Sequence, residues 1–368
     1  MNSSETMRAV VLEAPGPVEA LQVRDLPLPE PEPGWVRIRV KAFGLNRSEL
    51  HTRLGLAGDS VTYPRVLGIE ATGVVDLAPG GEFEPGQQVM TMMGGMGRTF
   101  DGGYAEYTCV PAAQVIPFRS DLDWATLGAV PEMLQTAYGS LTVGVDMKPG
   151  QSLLVRGGTS SVGMAAAVLA KRHGLRVLAT TRSAAKAEAL EGIGVDDVLV
   201  DDGDVEAQVR RLLPEGVDGA IELIGTPTLP DTLRSTRVHG TVCFTGMLSN
   251  VWTVEEFYPI DYLPTGVRLT AYAGEADDLP ADVLQGFLDD VAAGRAVVPI
   301  DTTYDLDGIR EAHQRMEEGT TSGKLVVVVE GRTCRAGGYS AAGGRFAGLV
   351  FERSRAGENG GARWQWNC

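Results

Sequence analysis

The stretch that most constrains this chain runs from residue 153 to residue 186. Leu153-Leu154-Val155-Arg156 passes into the small residues Gly157-Gly158-Thr159-Ser160-Ser161-Val162-Gly163, which open a long Ala-rich segment ending at Lys171-Arg172-His173-Gly174. That order is strand, tight turn, helix, with Gly174 as the C-terminal stop. A second strand follows at Arg176–Thr181. The whole is one βαβ unit, whose crossover is expected to be right-handed.

A helix begins at the turn, and its first N–H groups have no intrahelical partner and carry roughly half a positive charge. A pyrophosphate settles there only where no side chain blocks it. Against the dinucleotide pattern G-x-G-x-x-G, residues 158–163 read Gly158-Thr159-Ser160-Ser161-Val162-Gly163, with Ser160 in place of the middle glycine. These six are the candidate pyrophosphate residues; the plainer alternative is a Gly/Ser turn that only joins strand to helix. NAD-type sites place an acid about 20 residues beyond the glycines. Here Thr180-Thr181-Arg182-Ser183-Ala184-Ala185-Lys186 contains none. Arg182 and Lys186, with the hydroxyls of Thr181 and Ser183, suit a 2′-phosphate, so the expected cofactor is NADPH. The alternative is that Ser183 caps the next helix and the two cations lie on its solvated face.

Around this unit the 368 residues suffice for two ordinary domains. Residues 7–12 and 35–42 read as strands, the second alternating apolar with basic residues. Pro27-Leu28-Pro29-Glu30-Pro31-Glu32-Pro33-Gly34 between them suits neither ladder nor helix. Further strands near 72–77, 87–92 and 104–110 make a β-rich module over 7–123. A helical stretch at Trp124–Thr142 leads into the βαβ unit, and strands near 176–181, 197–201, 219–224, 240–245 and 267–272 alternate with helices. The fold class is therefore α/β, a doubly wound parallel sheet of about six strands over 124–272, joined to the β-rich module. Residues 273–330 hold a helix near 280–293 and the apolar strand Leu325–Val329, which is expected to return to the first module. Residues 331–368, with nine Gly, six Arg and no Lys, Asp or Pro, read as a poorly ordered appendage.

A net charge of −16 argues against nucleic acid or an anionic membrane as partner. No apolar run approaches the ~18–20 residues that span a bilayer, and Met1–Thr6 has neither the basic nor the apolar part of a secretory signal. Only two of the four cysteines, Cys109 and Cys243, precede residue 331, which fits a reducing cytoplasm.

The ordered pieces Gly44-Leu45-Asn46-Arg47-Ser48-Glu49, Gly68-Ile69-Glu70-Ala71-Thr72-Gly73-Val74-Val75, Gly102-Gly103-Tyr104-Ala105-Glu106-Tyr107, the cofactor turn, residues 240–248 and Gly323-Lys324-Leu325-Val326-Val327 resemble the medium-chain dehydrogenase/reductase superfamily over about residues 7–330. Within it the chain is similar to the zinc-free quinone oxidoreductase (zeta-crystallin-like) branch. The resemblance implies a GroES-like catalytic domain beside the Rossmann sheet. Zinc-dependent relatives carry Cys where this chain has Asn46 and His where it has Ile69, and the four close cysteines of their structural-zinc lobe are missing, so no metal site is expected.

Without a Lewis acid, the accessible reaction is hydride transfer from NADPH to a conjugated acceptor, a quinone or enone, which spreads the incoming electrons over several atoms. Asn46 is the candidate hydrogen-bond donor near the nicotinamide or substrate carbonyl, or else an Asn fixing a turn. Glu49, one turn on, is either a proton relay or a surface residue, and Tyr63 and Tyr104 line the pocket or belong to the core. The resemblance places Thr136 beside the nicotinamide and Asp201 near the adenosine, although an acid there sits poorly with a 2′-phosphate. Thr245, Gly246 and Met247 end a strand on its ligand-binding side. Lys324 either reaches a phosphate or is a solvated strand-start lysine.

The Met92–Gly97 run and the aromatic residues Trp252, Phe257, Tyr258 and Tyr262 suggest a planar, largely apolar acceptor, though the aromatics serve equally as a homodimer contact. Two rival readings stand beside this one. A 2-enoyl thioester reductase of the same fold normally offers a Tyr after Asn46, and residues 47–55 contain none. The other rival is a non-catalytic NADPH-binding protein.

Overall fold

The βαβ unit lies in the middle of a sheet whose strands, in spatial order, are Asp197–Val200, Arg176–Thr181, Ser152–Arg156, Val217–Glu222, Thr236–Phe244 and Arg268–Ala271. All neighbours are parallel in the computed structural model, which describes residues 5–251 and 253–329. Both faces are covered, so the strands are apolar at odd and even positions alike. Leu153, Val155, Val177 and Ala179 pack in one core with helix Ser161–Arg172, while Leu154, Leu178 and Val242 pack with Val205, Val209, Leu229 and Leu233 in another. Strand order reverses at Ser152–Arg156, where an open α/β sheet has its ligand crevice.

The second sheet has seven strands. Ile300–Tyr304, Lys324–Val328, Trp35–Gly44, Glu70–Leu77, Gln88–Met92 and Val115–Pro117 follow one another, with Tyr107–Pro111 also paired to Trp35–Gly44. Val36, Ile38 and Val40 are buried while Arg39 between them is exposed, as the alternation in the sequence requires. A smaller sheet sets Thr6–Leu12 between Leu21–Pro27 and Arg65–Val66.

The final strand returns to the first module as expected, antiparallel to Trp35–Gly44 with Val326 opposite Gly44. This register matters because it brings residue 324 to the end of the strand that leads into Asn46. Leu325 and Val327 enter the core of the β-rich module and Val326 enters the core shared with the Rossmann helices, so one strand seats both cores.

Several elements differ from the expectation. The helical stretch at Trp124–Thr142 is two helices, Trp124–Ala129 and Pro131–Gly139, followed by a π-type turn at Ser140–Gly144. Pro131 has no N–H to continue the first helix and instead starts the second. Strands Leu21–Pro27 and Ile300–Tyr304 and helices Arg47–Arg53 and Ile309–Glu318 were not foreseen. The appendage expected at 331–368, like Trp252, lies outside the described residues.

Candidate active site

Helix Arg47–Arg53 starts at Asn46, and Glu49 in its first turn reaches back so that the Asn46 backbone N–H donates to Oε2 at 2.8 Å. Glu49 Oε1 accepts from the Ile69 backbone N–H at 2.9 Å. Glu49 is therefore neither a surface residue nor free; it ties the helix start to the loop before strand Glu70–Leu77 and is fully buried.

Asn46 is buried beside it and belongs to a closed set of polar side chains. Its Oδ1 accepts from Lys324 Nζ at 2.5 Å, and its Nδ2 donates to Glu70 Oε1 at 2.9 Å and to Glu49 Oε1 at 3.3 Å. Lys324 Nζ also pairs with Glu70 Oε1 at 2.8 Å and Glu132 Oε2 at 3.2 Å. Glu70 Oε2 in turn accepts from the Glu132 backbone N–H at 2.8 Å, at the start of helix Pro131–Gly139. One correction follows. Lys324 is not a solvated strand-start lysine, since its side chain is wholly buried, and its ammonium is taken up by two carboxylates and an amide rather than turned toward a phosphate. Both Asn46 amide protons have acceptors within this cluster.

Charge follows from this packing. Burial raises the Glu49 pKa to about 7, with the neighbouring Glu70 pushing the same way and Lys324 opposing. Burial also raises the Glu70 pKa; Lys324 opposes and Glu132 adds to the rise. For Lys324 burial works to lower the pKa, but Glu70 and Glu132 outweigh it and hold the ammonium charged.

The glycine turn forms a cradle with no room for side chains. Gly157 has φ +88° and donates to Thr180 Oγ1 at 2.9 Å. A Cβ on Gly158 would lie 2.8 Å from Ala179 Cβ, and one on Gly163 2.5 Å from Gly157 O. Ser160, in the place of the middle glycine, is the N-cap of Ser161–Arg172: its Oγ accepts from Gly163 N at 3.1 Å and donates to Gly157 O at 2.8 Å. Ser161 and Val162 form the first helical turn and are partly exposed. Small residues and unsatisfied helix N–H groups thus fit a pyrophosphate.

Next to the cradle, Thr181 Oγ1 accepts from the Ser183 N–H at 3.2 Å, and Ser183 makes no side-chain cap to the following turn. Arg182 Nη2 donates to Gly319 O at 3.2 Å, and Lys186 Nζ to Thr320 O and Thr321 O, both at 2.9 Å. The two cations therefore converge on the segment that precedes Lys324, and that segment reaches the turn itself, with Gly323 N donating to Thr159 O at 3.1 Å. Arg47 joins them. A Cβ on Gly319 would lie 3.5 Å from Arg182 Nη2 and 3.7 Å from Arg47 Nη2. Burial, then Arg182, lowers the Arg47 pKa.

Between cradle and cluster, Thr136 Oγ1 donates toward Glu132 Oε1 at 3.2 Å, and Thr136 O accepts from Ser140 Oγ at 2.7 Å. Ser140 Oγ meets Thr245 Oγ1 at 2.9 Å. Thr245 and Gly246 donate their N–H groups to Glu222 O, both at 3.0 Å, and Met247 follows, partly exposed. The structure thus brings Thr136 and Thr245 together at the carboxyl end of the sheet. Tyr63 and Tyr104 are placed otherwise. Tyr63 OH donates to Thr52 O at 2.9 Å, and Tyr104 is fully buried, stacked on Phe43 with its OH 3.2 Å from His313 Nε2.

Comparisons with known proteins agree with this geometry. The alcohol dehydrogenase GroES-like domain matches residues 32–120, and the model described as zinc-binding dehydrogenase matches residues 193–327. The chain is 26% identical to the mouse (Mus musculus) protein called synaptic vesicle membrane protein VAT-1 homolog-like, with 90% of this chain and 83% of that one covered. It is 28% identical to human (Homo sapiens) quinone oxidoreductase, covering 88% and 98%. A mycobacterial protein solved as a complex with NADPH superimposes with TM-score 0.76 at 25% identity, covering 88% and 99%. One matching model is named for zinc; among the described residues no three His, Cys, Asp or Glu side chains are grouped to hold a metal ion.

The chain belongs to the zinc-independent, quinone-oxidoreductase branch of the medium-chain dehydrogenase/reductase superfamily. Its fold is that of this superfamily, a GroES-like β-domain beside a Rossmann sheet. Sequence reasoning missed Arg47, Glu132 and the role of Glu70. A carboxylate in the otherwise apolar run Gly68–Val75 was the available signal for Glu70, since a buried acid needs a partner. Arg47 carried none beyond its place next to Asn46.

The raised Glu49 pKa has a consequence for stability. Between about pH 4.5 and 7 the folded chain holds a proton on Glu49 that the unfolded chain has released, so stability falls as pH rises through that window. Urea unfolding at pH 5 and pH 8 of wild type and Glu49→Gln is expected to show wild type losing on the order of 1–3 kcal/mol relative to the variant at the higher pH. A difference that is constant or grows with pH would contradict the placement of Glu49.

Proposed function

We propose that the chain is an NADPH-dependent reductase of quinones and other conjugated carbonyl compounds that works without metal. The observation that carries this reading is the buried Lys324 ammonium, held by Glu70, Glu132 and Asn46, the last of which, by the family resemblance, stands where zinc-dependent relatives carry a cysteine. Gly158, Thr159, Ser160, Ser161, Val162 and Gly163 are assigned the pyrophosphate, and Thr181, Arg182, Ser183 and Lys186 the 2′-phosphate, with Arg47 reaching in from the catalytic domain. Thr136, Thr245, Gly246 and Met247 are assigned the nicotinamide end.

When bound, NADPH supplies the hydride. The acceptor takes the electron pair into its conjugated system, and negative charge arises on its oxygen. Lys324 holds Asn46 Oδ1, which aims the Nδ2 protons away from itself. The 3.3 Å bond to Glu49 is the longer of the two that Nδ2 makes, so that N–H is the one a substrate carbonyl takes over. Glu49, whose carboxyl pKa burial pushes up to about 7, is the proton source next to it. Tyr63, with its hydroxyl engaged by Thr52, is assigned a supporting place in the pocket wall rather than a chemical one.

Two further parts of the reading concern the molecule's surroundings. Among the described residues no helix is long and apolar enough to cross a membrane; the free Cys109 and Cys243 fit a reducing cytoplasm. Strand Arg268–Ala271 ends the Rossmann sheet with an open edge, and Val251, Phe257, Tyr258 and Ile260 nearby are exposed, with Ile260 79% so. An open edge beside apolar side chains supports a homodimer.

An NADPH-oxidation screen over quinones, enones, enoyl thioesters and plain aldehydes tests the reaction. Turnover of quinones or enones is expected, undiminished by a chelator, with the Arg182→Ala/Lys186→Ala variant weakening NADPH by about tenfold or more against NADH. Turnover confined to aldehydes, or lost in chelator, would overturn it. Light scattering is expected to give about twice the 39.0 kDa of one chain, and Ile260→Asp a shift toward monomer. A monomeric wild type at micromolar concentration would remove the dimer from the account.

A further inference from the structure

Asp201 poses a problem for a 2′-phosphate site. It follows strand Asp197–Val200, and its N–H donates to Thr181 O at 2.8 Å, so it stands in the next strand end to Arg182 and Ser183. A free carboxylate there would repel a phosphate dianion. Its side chain is not free. Arg156, the last residue of the first Rossmann strand, reaches under the intervening strand and donates to Asp201 from both Nε, at 2.9 Å, and Nη2, at 3.0 Å. Arg156 is 1% exposed. Its remaining amino group, Nη1, pairs with Asp231 at 2.5 Å.

The second acid does not undo the neutralisation. Asp231 accepts from the Val205 and Glu206 N–H groups, both at 3.2 Å, at the start of helix Val205–Leu212, and Arg234 lies 3.8 Å away. Its charge is thus shared with a helix end and a second cation, on the side of the sheet where those helices pack, while the two-pronged face of Arg156 is committed to Asp201. A bidentate guanidinium–carboxylate pair in low dielectric cancels most of the field that the acid would project.

We infer that Arg156 is a specificity-determining positioning residue: by sequestering Asp201 it makes the adenosine end of the crevice tolerate the 2′-phosphate of NADPH. The inference rests on the NADPH reading above. Arg156 acts through Asp201 and touches no cofactor atom. In this chain the choice of cofactor therefore depends on two layers, the cations that attract the phosphate and a buried cation that silences a nearby acid.

Titration calorimetry with 2′,5′-ADP and 5′-AMP, which differ by the 2′-phosphate, tests this without any turnover. Wild type is expected to favour 2′,5′-ADP. Arg156→Met is expected to cut that preference by about tenfold through the exposed Asp201 charge, and Arg156→Met/Asp201→Asn to restore it. Both variants lack the partner of Asp231, so their difference reports Asp201 alone. Asp201→Asn in the wild-type background removes the acid but leaves the Arg156 charge, and is expected to hold or raise the preference for 2′,5′-ADP; it decides the matter if the Arg156 variants do not fold. A loss of preference in that single variant would show that the Asp201 charge does not oppose the phosphate, and an unmoved ratio in Arg156→Met would show that Arg156 masks nothing; either overturns the inference. A wild type that does not distinguish the two ligands would instead defeat the NADPH reading on which it stands.

Discussion

The ammonium of Lys324 is the point on which the two halves of this molecule depend. Moving one charge into the interior costs several kcal/mol, and the cost is offset only where opposite charges and hydrogen bonds surround it. Here the compensating groups come from three places in the chain: Asn46 before the first helix, Glu70 at the start of a β-strand, and Glu132 on the helix that leads into the Rossmann sheet. Lys324 itself opens the returning strand. Removing any partner would strand a buried charge, so the cluster fixes the position of four elements at once. Gly44 shows how tightly they close, since a Cβ there would lie 2.2 Å from Lys324 Cε.

The same returning segment serves the cofactor crevice. Within six residues it offers carbonyls to Arg182 and Lys186, bridges to the glycine turn through Gly323, and ends at Lys324. The groups assigned to the phosphates and the groups assigned to the chemistry are thereby connected through one short piece of backbone. Fold and function share a cause here: the strand that completes the catalytic sheet also carries the lysine that holds Asn46.

How much of this was legible in the sequence depends on the range of the interaction. The βαβ unit was readable because strand, turn and helix signals are local, and the Val36/Ile38/Val40 alternation was readable for the same reason. The short strand Ile300–Tyr304 and the break at Pro131 were not recovered, the first because Ile300-Asp301-Thr302-Thr303-Tyr304 has little apolar character and the second because the apolar period continues across the proline. At the site, Asn46, Thr136 and Thr245 were named singly, but their setting was not. Lys324 looks like a solvated lysine until the return strand is paired, and Asp201 looks like a misplaced acid until Arg156 is seen beneath it. Partners separated by 45 to 278 residues leave no periodic trace.

Metal-free reduction places its demand on a few hydrogen bonds aimed where charge develops, and such bonds act strongly only when their donors are held in advance. Lys324 holds Asn46, and Glu49 lies one bond further on. The direct measurement is the single-turnover rate of NADPH oxidation by a quinone in Asn46→Ala, with 2′,5′-ADP affinity measured alongside. The account expects the rate to fall by about a hundredfold or more while the affinity stays within about twofold. A rate within about threefold of wild type, at unchanged affinity, would contradict the claim that this cluster performs the chemistry.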